Sequence, residues 1–310
     1  MLKTITVVVP VFNNEESLSQ LTTEIAGEFD GYDDLEMDLI FIDDGSTDAS
    51  WRKIQELSQS SADIRGYRLT RNFGQLYAMK AGYSLAKGDA LISISADLQD
   101  SPRLITTMLE AWDSGERLVI CARESRQDGF LTKLTSKVAY SLLRLETPDI
   151  PKGGFDFFLV DKRIYLELNK MAGRFNFLQG DILSLGYKPF TINYSRASRP
   201  FGKSAYNFKK RLGNFTTAWY DSSYSLIKGM RNLGLFISGS GFLLGLGAIA
   251  LKLFGLAPFN GFTIIVCSIL FIGGVQLIFT GVIAEYIWRI YDLGRGKPGF
   301  IIAESTQGDI

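Results

Sequence analysis

The chain of 310 residues contains no histidine, which excludes Ser-His-Asp catalysis, imidazole proton shuttling and histidine zinc sites together. Two cysteines, Cys121 and Cys267, are too few for a disulfide framework or a thiolate metal site. The 33 basic and 33 acidic residues cancel, so the overall charge predicts no nucleic-acid partner. Any catalytic base must therefore be Asp, Glu, Lys or Tyr. Met1 to Val11 is too short for a signal peptide and leads straight into "VVVPVFNNEES", so the N-terminus is expected in the cytosol.

What is present falls into two halves. Up to about residue 195 the apolar runs "ITVVVPVF", "MDLIFID", "IRGYRLT", "ALISISA" and "RLVICAR" alternate with helical patterns such as "DASWRKIQELSQ" and "GQLYAMKAGYSLA". Runs apolar on both faces, alternating with helices, predict an α/β fold: a mostly parallel, Rossmann-like sheet with helices on both faces. Ligands of such sheets bind outside the carboxyl ends of the strands.

The second half has the pattern of a membrane protein. Leu233 to Phe254 carries one charge, Lys252, and Phe262 to Ala284 carries none. At 1.5 Å per residue each run would reach roughly 33 Å, enough for a bilayer core of about 30 Å. Between Arg196 and Arg231 stand eight basic residues against one acid, Asp221, interleaved with Phe, Trp and Tyr. That pattern predicts helices on the inner membrane surface and a transmembrane hairpin with both ends cytoplasmic. The expected organisation is a cytoplasmic domain at 1–205, amphipathic juxtamembrane helices at 206–232, two transmembrane helices at 233–290 and a cytoplasmic tail at 291–310.

Three strand ends carry acids and amides, and none carries a Gly-x-Gly-x-x-Gly turn. "LISISADLQDSP" ends in Asp97, Gln99 and Asp100. Asp97 and Gln99, two apart, offer hard oxygen ligands suited to Mg²⁺ or Mn²⁺ held jointly with substrate phosphates. Asp100 or Ser101 before Pro102 equally fits a helix cap, and both readings can hold together. "FIDDGSTDAS" places Asp43 and Asp44 at a second strand end, with Gly45 for a tight turn and Ser46 or Thr47 to cap the next helix. "VPVFNNEES" gives a third, with Asn13, Glu15 and Glu16.

Together "VVVPVFNNEES", "IDDGSTD", "TRNFGQ" and "ADLQDSP" resemble the family-2 inverting glycosyltransferases of GT-A fold. "GGVQLIFTGVIAEYIWRIYDLGRGKPGFII" resembles the membrane end of their polyprenyl-phosphate group, which includes bacterial polyprenyl-phosphate glucosyltransferases and dolichol-phosphate mannose synthase. The resemblance implies a multi-pass protein of the bacterial inner membrane, open to homo-oligomer formation. Its implied reaction moves a hexose, UDP-glucose being the default donor, to polyprenyl (undecaprenyl) phosphate with inversion. It implies that Pro10, Val11, Asn13, Glu15 and Asp43 line the nucleoside pocket with Asp44 nearby. Asp97 and Gln99 would take Mg²⁺ or Mn²⁺. Arg123 and Arg199 would face phosphates, with Arg196 and Lys203 beside the acceptor.

The chain departs from the family pattern in places. Ser95-Ala96-Asp97 stands where Asp-x-Asp is common, and Gly153-Gly154-Phe155-Asp156 where relatives read Gly-Asp-Phe-Arg. In extended chain a shift of two keeps the same face, so Asp156 can still reach the acceptor as the candidate catalytic carboxylate. Asp181, in "FLQGDIL", lies where many family-2 enzymes outside the polyprenyl group keep their base. The other readings are a solvated edge residue for Asp156, a helix N-terminal charge for Asp181 and a surface pair for Glu285 with Arg289. For the whole chain, another donor (N-acetylhexosamine, mannose or aminoarabinose type) or a non-catalytic, nucleotide-sugar-binding membrane scaffold fits the same motifs.

Overall fold

The computed structural model describes residues 2–123, 150–151, 154–171, 177–195 and 298–308, with Phe254 and a set of helical positions between 265 and 294. The chain sorts into two compact units, Met1–Ser222 with Pro298–Ile310, and Ser223–Lys297.

The first unit begins β1 (Lys3–Val11), α1 (Leu18–Gly27), β2 (Leu35–Asp43), α2 (Ser50–Ser60), β3 (Ile64–Leu69), α3 (Gln75–Leu85) and β4 (Ala90–Ser93). It continues with α4 (Leu104–Asp113), β5 (Leu118–Arg123), β6 (Phe157–Asp161), α5 (Lys162–Lys170), α6 (Leu178–Ser184), β7 (Phe190–Tyr194) and β8 (Ile302–Ser305). All eight strands form one sheet in the order β7-β5-β6-β4-β1-β2-β3-β8. The five predicted strands are β1 to β5. The sheet is mixed: β1 pairs parallel with β2 and β4, β2 with β3, and β5 with β7. The antiparallel members are β6, between β4 and β5, and β8, on the outer edge of β3. Within the predicted tail at 291–310, residues 302–305 are thus a strand of this sheet.

The strands are apolar on both faces because both are covered. Ile5, Val7, Val9, Leu39 and Phe41 pack on one side with residues of α1, α2 and α4, while Val8, Ile40 and Ile42 pack on the other with α3, α5 and α6. Each such side chain contributes about 1.5–3 kcal/mol on burial. Contact is close: a Cβ on Gly82 of α3 would lie 2.2 Å from Val8 Cγ1. The reversal at β6 matters for function. Cys121 pairs with Phe157 and Arg123 with Tyr194, so Asp156, just before β6, reaches the same sheet end as Arg123.

In the second unit Ile265, Ile269, Ile272, Ile283, Ile287 and Ile290 are helical and exposed. Among the described residues no helix is long and apolar enough to cross a membrane. The predicted juxtamembrane helices, the Glu285–Arg289 pair, all of the first predicted span but Phe254 and more than half of the second lie outside the described residues.

Candidate active site

The loops after β1 and β2 are laced together. Asn13, at φ 55°, accepts at Oδ1 from the Thr47 amide at 2.9 Å, and its own amide donates to Ser46 Oγ at 3.0 Å. Glu15 Oε2 accepts from the Ala49 amide at 2.6 Å and Asp48 Oδ1 from the Ser50 amide at 3.0 Å. These two carboxylates therefore serve the start of α2, where unpaired amides and the helix dipole favour negative charge. Ser46 and Thr47, predicted as its caps, hold Asn13 instead.

Asp43 and Asp44 part company at the end of β2. Asp43 is fully buried; its Oδ1 accepts from the Ser46 amide at 3.1 Å. Arg68 Nε lies 3.2 Å from Oδ2, too poorly aligned to count as a hydrogen bond, so that oxygen is a buried acceptor without a protein donor. Burial raises the Asp43 pKa, and the bonds from Ser46 and the Arg68 charge oppose it. Asp44 accepts at Oδ1 from the Phe73 amide at 2.7 Å and at Oδ2 from the Gly74 amide at 2.8 Å. Burial pushes its pKa up to about 6. Asp44 thus fixes the "RNFG" turn. Gly45, at φ +68°, lets that turn close: a Cβ there would sit 2.7 Å from the Arg71 carbonyl carbon.

Asn13, Asn14, Glu15, Glu16, Ser17, Asp48 and Asp97 line an open cleft of about 210 Å³. Asp97 Oδ1 accepts from the Gln99 amide at 3.3 Å across Leu98, whose φ is 54°. Among the described residues no three His, Cys, Asp or Glu side chains gather as a metal cage. The described residues therefore offer few ligands of their own, and a hard cation would complete its shell with diphosphate and water oxygens. Four carboxylates in the cleft favour positive charge, so the donor set fits Mg²⁺ or Mn²⁺.

Asp100 stands four residues before the start of α4. It is fully buried and accepts from Ser95 Oγ at 2.7 Å and from the Tyr194 hydroxyl, while the Leu104 amide opens the helix by donating to the Ser101 carbonyl. The chain of contacts continues through Arg123, which is hydrogen-bonded to Tyr194 and stands 2.6 Å from Asp156 Oδ2. Gln179 Nε2 donates to the Phe155 carbonyl at 2.7 Å and to Asp156 Oδ1 at 3.3 Å. Burial works against the Arg123 charge, yet the carboxylates of Asp156 and Asp100 raise its pKa. Asp181 is apart from this group, in the first turn of α6, where its charge opposes the burial that lowers the Lys80 pKa. Arg196, Arg199 and Lys203 lie outside the described residues. Arg68, Tyr194 and Gln179 were not signalled by any local pattern, whereas Asp48 sits inside the "DGSTD" motif.

The family model described as "Glycosyl transferase family 2" matches residues 6–167. Over 308 residues the chain is 35% identical to the SfII prophage-derived bactoprenol glucosyl transferase of Shigella flexneri, covering 98% of this chain and 99% of that protein. It is 33% identical over 302 residues to the prophage bactoprenol glucosyl transferase homolog of Escherichia coli (strain K12), covering 96% and 98%. Among solved structures, mannosyl-3-phosphoglycerate synthase from Rubrobacter xylanophilus has a TM-score of 0.51 at 17% identity, covering 73% of this chain and 75% of that one, a likeness of fold.

Proposed function

Because the chain belongs to glycosyl transferase family 2, and is a glycosyltransferase, we propose that it moves glucose from UDP-glucose to polyprenyl phosphate, with inversion, at the cytoplasmic face of a bacterial inner membrane. One observation carries the reading. Identity to a protein named bactoprenol glucosyl transferase extends over 98% of the chain, the apolar half included.

In this reading Asp43 Oδ2, the buried acceptor without a donor, takes a hydrogen bond from the nucleoside, framed by Pro10, Val11, Asn13 and Glu15. Asp44 contributes through the turn it holds. Asp97 and Gln99 hold Mg²⁺ or Mn²⁺, which supplies charge neutralisation at the leaving diphosphate. Arg123 presents its fork to phosphate oxygens, oriented by Asp156 and Tyr194. The acceptor phosphate arrives already ionised, so placing it outweighs removing a proton. Arg196, Arg199 and Lys203 serve that placement, and Asp156 acts by fixing Arg123, with Asp181 the reserve candidate for a base.

Membrane attachment draws on connectivity. The second unit leaves the first at residue 222 and rejoins it at 298, so any crossing of a bilayer must come in even number. Its exposed isoleucines, in two groups (Ile265, Ile269, Ile272 and Ile283, Ile287, Ile290) spaced three or four residues apart at helical positions, suit contact with acyl chains. Membranes carrying the protein, given radiolabelled UDP-glucose and undecaprenyl phosphate, should yield label in the lipid extract. Label from a different nucleotide sugar alone would change the donor. UDP-glucose binding without any transfer would favour the scaffold.

A further inference from the structure

We infer that Glu304, on the strand that follows the second unit, is a positioning residue for the donor site: by engaging an outer nitrogen of Arg68 it limits the grip of that guanidinium on Asp43 and leaves the buried Asp43 Oδ2 without an aligned donor, as an acceptor for the nucleoside. The inference rests on the reading of Asp43 as a nucleoside ligand. In the β3–β8 pairing Glu304 lies opposite Arg68. Its Oε1 is 3.1 Å from Arg68 Nη1, and its Oε2 accepts from Trp51 Nε1 at 3.0 Å. The carboxylate is thereby fixed between a ring and a guanidinium. Arg68 Nη2 donates to the Ser46 carbonyl at 3.4 Å. With both outer nitrogens engaged elsewhere, Nε stands 3.2 Å from Asp43 Oδ2 and out of line.

A guanidinium prefers to grip a carboxylate with two parallel donors. Asp43 is fully buried whereas the Glu304 side chain is 48% exposed, so attraction alone would favour collapse of Arg68 onto Asp43. Glu304 offsets that collapse. Its own contribution to stability is small, as for other exposed pairs. β8 is held independently: the Thr306 amide donates to the Gly66 carbonyl at 3.0 Å and the Gly66 amide to Thr306 Oγ1 at 2.9 Å.

The test measures UDP-glucose affinity with Mn²⁺ by calorimetry, turnover at saturating donor, and melting temperature, all on the full chain in detergent. Glu304→Ala should weaken donor affinity about fivefold while turnover changes less than about twofold. In an Arg68→Ala background the same change should add nothing, because its effect passes through that side chain. Glu304→Gln, which keeps the shape and loses the charge, should shift affinity the same way and covers the case of a poorly folded alanine variant. Unchanged affinity in Glu304→Ala, or a fully additive loss beside Arg68→Ala, overturns the inference. Asp43→Ala separates the two levels. If it loses donor affinity while Glu304→Ala does not, the positioning role alone is wrong; if it binds normally, the nucleoside reading falls and this inference with it.

Discussion

Arg123 Nη2 stands 2.6 Å from Asp156 Oδ2, so two side chains that the sequence assigns to different partners form one ion pair. The arginine side chain is 8% exposed and the acid 45%, so Asp156 holds the fork from its solvent side. Asp156→Asn should lower turnover about tenfold or more, leave donor affinity within about threefold, and add little in an Arg123→Lys background. Asp181→Asn should cost less than about threefold, since its charge sits at a helix start. Turnover and affinity measured separately decide the matter, and the reverse ranking would make Asp181 the base.

Metal dependence rests on the cleft that Asp97 lines. Asp97→Ala should reduce UDP-glucose affinity in Mn²⁺ to the value seen with chelator, with no loss of melting temperature. Calorimetry that finds a normal metal-dependent affinity would place the cation elsewhere.

Asp44 makes stability and activity diverge with pH. Its folded pKa, about 6, lies above the ordinary value of 3.8, so the folded form binds the proton more readily. Its contribution to stability therefore increases as pH falls from about 6 towards 4, and is lost again as pH rises. Ionised, the carboxylate accepts from two amides, Phe73 and Gly74. Protonated, it has one acceptor fewer and the turn loosens. Donor affinity should fall below about pH 6 in wild type and lose that pH step in Asp44→Asn. A wild-type profile flat from pH 5 to about 7 would remove Asp44 from the account.

Membrane orientation is open to labelling. A single cysteine at Asn260, with Cys121 and Cys267 replaced, should react with an impermeant reagent from outside intact cells that lack an outer-membrane barrier. Labelling only after lysis would reverse the topology.

The sequence announces those strands whose neighbours are also strands of the buried interior. β1 to β3 and β5 carry apolar residues on both faces because helices cover both, and that composition is a local signal. β8 reads Ile302-Ala303-Glu304-Ser305 with no residue buried; it is a strand only because β3 offers an open edge. The same division runs through the site. Asp43, Asp97 and Asn13 stand at or just beyond strand ends, so their place at one end of the sheet was legible. The Asp100–Tyr194 contact joins residues 94 apart, and Arg68 to Glu304 spans 236, distances over which no periodicity carries information. Asp44, one residue beyond β2, accepts from the Phe73 and Gly74 amides some 30 residues on, a role with no local signal.

The β3–β8 pairing also dictates an order of assembly. All of residues 223–297 must be synthesised between the two strands, so the outer edge of β3 waits without its partner while the apolar unit is made. An unpaired strand edge is where chains join one another, and pairing over such separations is slow. A nascent chain therefore carries an unfinished sheet until residues 223–297 have been made, and β3 receives its outer neighbour only afterwards. A copy in which β8 fails to return would fail first as a self-associating edge at β3, with the rest of the sheet in place.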